Sequence, residues 1–129
     1  MAGMSTAGYA AVAAGEDWHY VGEAGEPAFE NSWGSGQQAV AFRIRESGIV
    51  DIEGVASGGT PGTVIFTLPA GYRPSGEVRL SITGEISTTM SAGLLVVSTN
   101  GEVWGLRTPA DQDRLYLHHQ LFLVPATTP

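Results

Sequence analysis

The strongest constraint on the fold is a strand signal in residues 62–74 that stops abruptly. Val64, Phe66 and Leu68 occupy every second position, which is the period of a strand with one buried face. A single strand cannot bury such a face alone. The segments before and after it must therefore supply further strands.

The residues after this strand predict a turn that closes the end of the core. Pro69 lacks a backbone N–H and ends the strand pairing, and Gly71 can adopt the positive φ that tight turns require. The Tyr72 ring is placed to cover the open end of the core, with its hydroxyl in water. The predicted structural corner consists of Phe66, Leu68, Pro69, Gly71, Tyr72, Arg73 and Pro74.

Residues 39–55 predict a hairpin whose register follows from hydropathy and charge. Apolar and charged residues alternate on both arms, and Glu46-Ser47-Gly48 supplies a three-residue loop with glycine at the left-handed position. The register places Ile44 opposite Val50, Phe42 opposite Ile52 and Arg43 opposite Asp51, with Arg45 diagonal to that aspartate. Each opposed charge pair contributes about 0.2–1 kcal/mol, which explains these charged residues without a functional site.

The C-terminal half predicts further strands and two exposed loops. Residues 78–83 alternate as a half-buried strand, residues 84–93 are small and polar and predict a loop, and residues 114–124 predict one long strand. The loops at 84–93 and 107–113 are the predicted outer end of the domain. The candidate ligand contacts there are Thr88, Thr89, Arg107, Asp111 and Asp113.

Residues 94–97 are apolar on both faces, which is unusual for an antiparallel strand with one face in water. One face should therefore meet another sheet or another subunit. Asn100-Gly101 predicts a two-residue hairpin turn that pairs Val97 with Trp104 and Leu95 with Leu106. The predicted contacts between subunits are Leu95, Val97, Trp104, Leu121 and Phe122.

Composition favours a single all-β domain, an antiparallel, jelly-roll-like β-sandwich of about seven or eight strands. The chain has 129 residues, 18 Gly and 7 Pro, and only 15% of its residues are charged, which favours many short strands joined by turns. A net charge of −7 argues against nucleic-acid partners and anionic membranes. No membrane-spanning apolar run and no basic secretory signal region are evident.

Four segments carry a family resemblance: FTLPAGYRP at 66–74, GEPAFENSW at 25–33, VAFR at 40–43 and GIVDIEG at 48–54. In this order they resemble the C-terminal β-sandwich knob domains of bacteriophage tail fibres and minor tail proteins. The resemblance covers roughly residues 18 to 103. It implies a trimeric, non-enzymatic domain on a virion surface. Tail fibres, tail tips and capsid decorations reuse such folds, so the fold alone does not choose among them.

The N-terminus is predicted to be an extended docking arm. Residues 1–17 are rich in Ala and Gly, and residues 18–129 form the predicted knob. Met4, Tyr9 and Val12 are the predicted contacts of the arm with a phage capsid or tail protein. Because no shaft repeat or coiled coil precedes the knob, the first hypothesis is a trimeric capsid decoration protein. The alternative is a tail-fibre or tail-tip module that binds a host-surface saccharide or protein.

The sequence predicts neither catalysis nor a cofactor. Asp51 and Glu53 have the spacing of a carboxylate pair, but the arginines opposite already account for them. His118 and His119 are neighbours on a predicted strand and point to opposite faces, so they cannot chelate one ion together, although a ring of symmetry-related histidines on a trimer axis stays open. The aromatic cluster Trp18, Tyr20, Phe29 and Trp33 predicts core packing, with a sugar-stacking platform as the alternative.

Overall fold

The computed structural model describes residues 16–45, 47–60, 62–86, 89–107, 114–117 and 120–123. Eleven β-strands, and no helix, occur within these residues. In chain order they are β1 (His19–Tyr20), β2 (Gly34–Ser35), β3 (Ala41–Ile44), β4 (Ile49–Glu53), β5 (Val55–Ser57), β6 (Val64–Thr67), β7 (Val78–Ile86), β8 (Thr89–Val97), β9 (Glu102–Arg107), β10 (Arg114–Tyr116) and β11 (Gln120–Leu123).

The strands form two antiparallel sheets that enclose one core. The small sheet has the order β1-β3-β4-β11, and the large sheet has the order β2-β5-β10-β7-β8-β9-β6. Phe42 of the small sheet stacks on Phe66 of the large sheet, with ring centroids 5.8 Å apart. The predicted all-β sandwich is therefore confirmed. The strands outnumber the prediction because several contain only two or three residues.

The β3–β4 hairpin has the predicted register. Phe42 pairs with Ile52 and Arg43 pairs with Asp51, and Gly48 adopts a φ of 86° in the loop. Both arginines reach the same carboxylate oxygen, Asp51 Oδ2. The Nε atoms of Arg43 and Arg45 lie 3.2 Å and 2.7 Å from it.

The predicted register of the β8–β9 hairpin is wrong by one residue. Val97 pairs with Val103, and Trp104 pairs with Val96. The amide of Ser98 donates to the carbonyl of Glu102 at 2.9 Å, so the loop has three residues rather than two. Gly101 alone takes positive φ, 92°, whereas a two-residue type I′ turn needs positive φ at both central residues. The slip moves Trp104 to the opposite face from Val97.

The loop predicted at residues 84–93 is also wrong, because these residues continue a long hairpin. β7 extends to Ile86 and β8 begins at Thr89, with Gly84 pairing with Ser91. Gly84 also pairs with Leu115 of β10 on its other side. The small and polar residues at these positions therefore belong to paired strands rather than to a loop.

The long strand predicted at residues 114–124 is divided between the two sheets. β10 pairs with β5 and β7 in the large sheet, whereas β11 pairs with β4 in the small sheet. The chain makes the same crossing at Gly54, between β4 and β5, where φ is 111°. The two crossings are tied together by the Leu117 amide, which donates to the Gly54 carbonyl at 2.8 Å.

β6 is an edge strand of the large sheet and leads into the predicted corner. Its register with β9 shifts between Val64 and Phe66, so Ile65 is buried together with its neighbours. In the corner, Gly71 has a φ of 97°, and Arg73 Nε donates to the carbonyl of Leu68 at 2.8 Å. The segment around Glu30 covers the free edge, since its amide donates to the Ile65 carbonyl at 2.8 Å.

Candidate functional site

An open groove lies on the outer face of the large sheet, at the ends of three neighbouring strands. Each strand region contributes two residues spaced by two, so that both point outward. We call this feature the β7–β9 groove; it has a volume of about 300 Å³. Its lining residues are Glu77, Arg79, Val96, Ser98, Glu102 and Trp104.

The floor of the groove is apolar and its rim is charged. Val96 points outward but is only 4% exposed, and the half-buried Trp104 pairs with it across the strands. On the rim, Arg79 Nε lies 2.7 Å from Glu77 Oε2, and these side chains are 66% and 47% exposed. The groove therefore combines one aromatic surface with charged groups that solvent or a ligand can reach.

The groove carries an excess of negative charge. Glu77 and Arg79 neutralise each other, so the negative charge of Glu102 is not balanced by another lining residue. Within the described part of the chain, no donor hydrogen-bonds to the Glu102 carboxylate. Sequence reasoning missed this site because the predicted register placed Trp104 on the face of Val97. The groove is formed by three pairs of outward-facing residues, at 77 and 79, at 96 and 98, and at 102 and 104. These pairs come together only when the loop between β8 and β9 has three residues.

The candidate ligand contacts proposed from the loops do not assemble into a described site. Thr88, Asp111 and Asp113 lie outside the described residues. Thr89 is exposed at the start of β8, whereas Arg107 ends β9 opposite Gly93. The structure places these two residues within the long antiparallel sheet rather than in surface loops.

Two of the candidate subunit contacts belong to the core of this chain. Leu95 and Val97 are 0% exposed, so they have no surface to offer to a second subunit. Trp104 lies in the groove on the opposite face. Leu121 and Phe122 lie in β11, opposite Asp51 and Val50 in the backbone pairing.

The predicted aromatic cluster is divided among different environments. Trp33 is 4% exposed in the core, and its Nε1 donates to Thr63 Oγ1 at 3.0 Å. The Arg43 guanidinium lies 4.4 Å from the ring centroid of Trp18, while Tyr20 is 41% exposed. Phe29 packs against the core. Trp33 and Phe29 therefore pack in or against the core, as predicted, whereas Trp18 contacts the Arg43 guanidinium.

A second polar cluster forms where the chain enters the small sheet. His19 Nδ1 lies 2.9 Å from Glu26 Oε2, and His19 Nε2 lies 3.2 Å from Glu16 Oε1. The Tyr72 hydroxyl donates to Glu16 Oε1 at 2.8 Å, so it is not left in water as the sequence predicted. His19 also stacks on Phe42, with centroids 5.1 Å apart.

The ionisation of this cluster follows from its contacts. Hydrogen bonding to Glu26, aided by Glu16, raises the pKa of His19. Burial alone would raise the pKa of Glu16, but hydrogen bonds from the Tyr72 hydroxyl and the Ile44 amide lower it overall. Burial and the bond to Glu16 raise the pKa of Tyr72. The cluster thus favours a protonated imidazole between two carboxylates and fixes Glu16 to the corner.

The remaining chemical candidates are readily placed. Asp51 is held by two arginines, as the sequence predicted. The described side chains include no group of three or more His, Cys, Asp or Glu arranged to hold a metal ion. His118 and His119 lie outside the described residues. The described part of the chain forms no helix capable of crossing a membrane.

Comparison with known proteins gives a match in fold. No protein-family profile and no curated protein sequence matches the chain. Among solved structures, the fold matches the receptor binding protein (gp15) of Listeria phage PSA with a TM-score of 0.72. The match covers 91% of this chain and 70% of that chain, at 13% sequence identity. The resemblance to phage tail β-domains is therefore confirmed at the level of the fold.

Proposed function

We propose that this chain is a receptor-binding module on the surface of a bacteriophage virion, and that it binds a host-surface molecule without catalysing a reaction. The observation that carries the proposal is the fold, which the chain shares over 91% of its length with a phage receptor-binding protein. Of the two functions that the sequence leaves open, this likeness favours receptor binding over capsid decoration.

The β7–β9 groove supports the same choice. Its volume of about 300 Å³ lies at the lower end of the range of small-ligand sites, about 300–1,000 Å³. Its charged rim is exposed and its floor contains an aromatic side chain. A subunit that only coats a lattice does not need such a site.

The proposed module is a homotrimer that uses the outer stripe of β8. Met90 lies on this stripe and is 53% exposed. Met90 lies six positions before Val96, which corresponds to roughly 20 Å along a strand. A contact between copies around Met90 would therefore leave the β7–β9 groove open. Three grooves per trimer would strengthen weak individual contacts through avidity.

Residues 1–17 form the proposed attachment arm, with a phage tail or capsid protein as the partner. The support is the fixed position of Glu16, whose carboxylate accepts hydrogen bonds from Tyr72 and from the Ile44 amide at 2.8 Å and 3.0 Å. Glu16 therefore gives the proposed arm, whose proposed contacts are Met4, Tyr9 and Val12, a fixed point of attachment to the knob.

The test is the binding of the fluorescently labelled full-length chain to a panel of bacterial strains. The proposal predicts saturable binding to a narrow set of strains, displaced by excess unlabelled protein. The result that would contradict it is the absence of binding to every strain, together with pelleting of the chain on virions that lack it. That outcome would favour decoration.

A further inference from the structure

We infer that the β7–β9 groove binds a hexopyranose saccharide that is neutral or carries an amino group, and that it discriminates against acidic sugars. The inference rests on the proposed receptor-binding function and names the ligand class of that function. It is carried by the composition and charge of the six lining residues.

The floor of the groove fits the apolar face of a sugar ring. Arg79, Val96 and Trp104 are direct neighbours across β7, β8 and β9. With strands about 4.8 Å apart, this row spans roughly 10 Å, the width of one or two sugar rings. The indole of Trp104 supplies a broad apolar surface and one N–H donor. Val96 is covered by its neighbours to 4% exposure, so the floor has no deep cavity for a bulky apolar ligand.

The rim of the groove fits the hydroxyl groups of the same ring. Glu77 and Glu102 offer carboxylate acceptors, Arg79 offers planar donors and Ser98 offers both. A purely apolar ligand would cover these polar groups without satisfying them, which is unfavourable. A partner protein needs about 800 Å² of surface on each side, whereas this groove is of small-ligand size. A polyol with one apolar face satisfies both floor and rim.

The charge of the groove sets the proposed specificity. Two carboxylates and one guanidinium leave a net charge of −1, and the chain as a whole carries −7. Arg79 contacts Glu77 at 2.7 Å, so its positive charge is already balanced within the groove. Glu102 has no hydrogen-bond donor among the described residues. A ligand hydroxyl or ammonium would supply that donor, while a ligand carboxylate or phosphate would be repelled.

The experiment is saturation-transfer NMR on the full-length chain with separate single probes: glucose, galactose, N-acetylglucosamine, glucosamine, glucuronic acid and choline. An open site that contacts one ring predicts a dissociation constant roughly in the millimolar range. At least one neutral or amino sugar should bind at least ten-fold more tightly than glucuronic acid. Trp104→Ala should weaken the binding of that sugar at least ten-fold.

Two further variants keep the inference testable if Trp104→Ala lowers stability. Glu102→Gln preserves the shape of the side chain and should weaken glucosamine several-fold. Met90→Ala lies on the same face at the far end of β8 and should leave all sugar affinities unchanged. Failure of every sugar to bind, tighter binding of glucuronic acid than of glucose, or binding of choline alone would overturn the inference.

Cell binding distinguishes a failure of the groove assignment from a failure of the receptor-binding function. If the chain binds cells, and neither Trp104→Ala nor Glu102→Gln reduces that binding, the receptor-binding function stands and the groove assignment fails. If the sugars bind in the groove but no strain binds the chain, the groove assignment stands and the receptor-binding function fails.

Discussion

The Asp51 cluster makes an asymmetric prediction: removing both arginines should destabilise the fold more than removing the aspartate. The Asp51 side chain is 4% exposed, while those of Arg43 and Arg45 are 26% and 43% exposed. After Asp51→Ala, both arginines can turn towards water. After the double change Arg43→Met/Arg45→Met, the carboxylate stays buried without a positive partner.

The magnitudes follow from this difference in burial. Asp51→Ala loses two charge pairs, each contributing about 0.2–1 kcal/mol. It also removes Asp51 Oδ1, a buried oxygen that has no hydrogen-bond partner. The net cost should be about 0–2 kcal/mol. The double methionine variant keeps the apolar part of both arginine side chains but leaves the Asp51 carboxylate buried without a positive partner. Such a buried unpaired charge typically costs about 3–5 kcal/mol.

Urea denaturation of the purified chain measures both free energies of unfolding. Arg79→Met is the matched control, because its ion pair with Glu77 is exposed and such pairs contribute about 0–1 kcal/mol. If Asp51→Ala proves as destabilising as the double variant, or more so, the argument from burial is refuted.

Four further predictions address the corner, the fold, the trimer and the arm. The pKa of His19 is raised above its ordinary value of 6.5, so protonated His19 stabilises the fold below about pH 6.5, and this stabilisation is lost as the pH rises through the folded pKa. Thermal unfolding between about pH 6 and 9 should show the fall in stability, and His19→Gln should flatten it. Gly54→Ala should cost at least about 2 kcal/mol in urea denaturation, because φ is 111° and the added Cβ would collide with the Ala39 carbonyl; a neutral result would mean that the crossing is not rigid. Met90→Glu should convert a trimer to monomers in light scattering while preserving the β-sheet circular-dichroism spectrum, and an unchanged trimer would place the contact elsewhere. Deletion of residues 1–15 should preserve the trimer and abolish pelleting with virions that lack the chain, whereas retained pelleting would mean that the knob itself makes the attachment.

Sequence reasoning succeeds where hydropathy and charge specify the same register. In the β3–β4 hairpin, only one alignment brings Phe42 opposite Ile52 and Arg43 opposite Asp51, and the structure has that alignment. Changing the register by one residue would bury the charges, so the pattern strongly excludes the alternatives.

It fails where both faces of a strand are apolar. Leu95 and Val96 point to opposite faces, yet both are buried, so a one-residue slip changes little in the hydropathy pattern. The Asn100-Gly101 signal fits a two-residue or a three-residue loop, and it is the φ of Asn100, which is not positive, that distinguishes the two. The groove was therefore beyond sequence reasoning, because it depends on which face Trp104 occupies.

The crossings between sheets were missed for a related reason. Leu115 and Leu117 are both fully buried, as they would be in one continuous strand. The side-chain pattern up to Leu117 therefore gives no sign that the chain changes sheets between β10 and β11. Glycine signals the crossing at Gly54 but not this one.

Competition for virion adsorption tests the central claim most directly. Host cells are incubated with increasing concentrations of the purified full-length chain before virions are added, and free virions are counted over time. A receptor-binding module predicts a dose-dependent fall in the adsorption rate, because the chain occupies the receptors. The proposal would be contradicted if the adsorption rate stayed unchanged at chain concentrations high enough to occupy the receptors that the virions use.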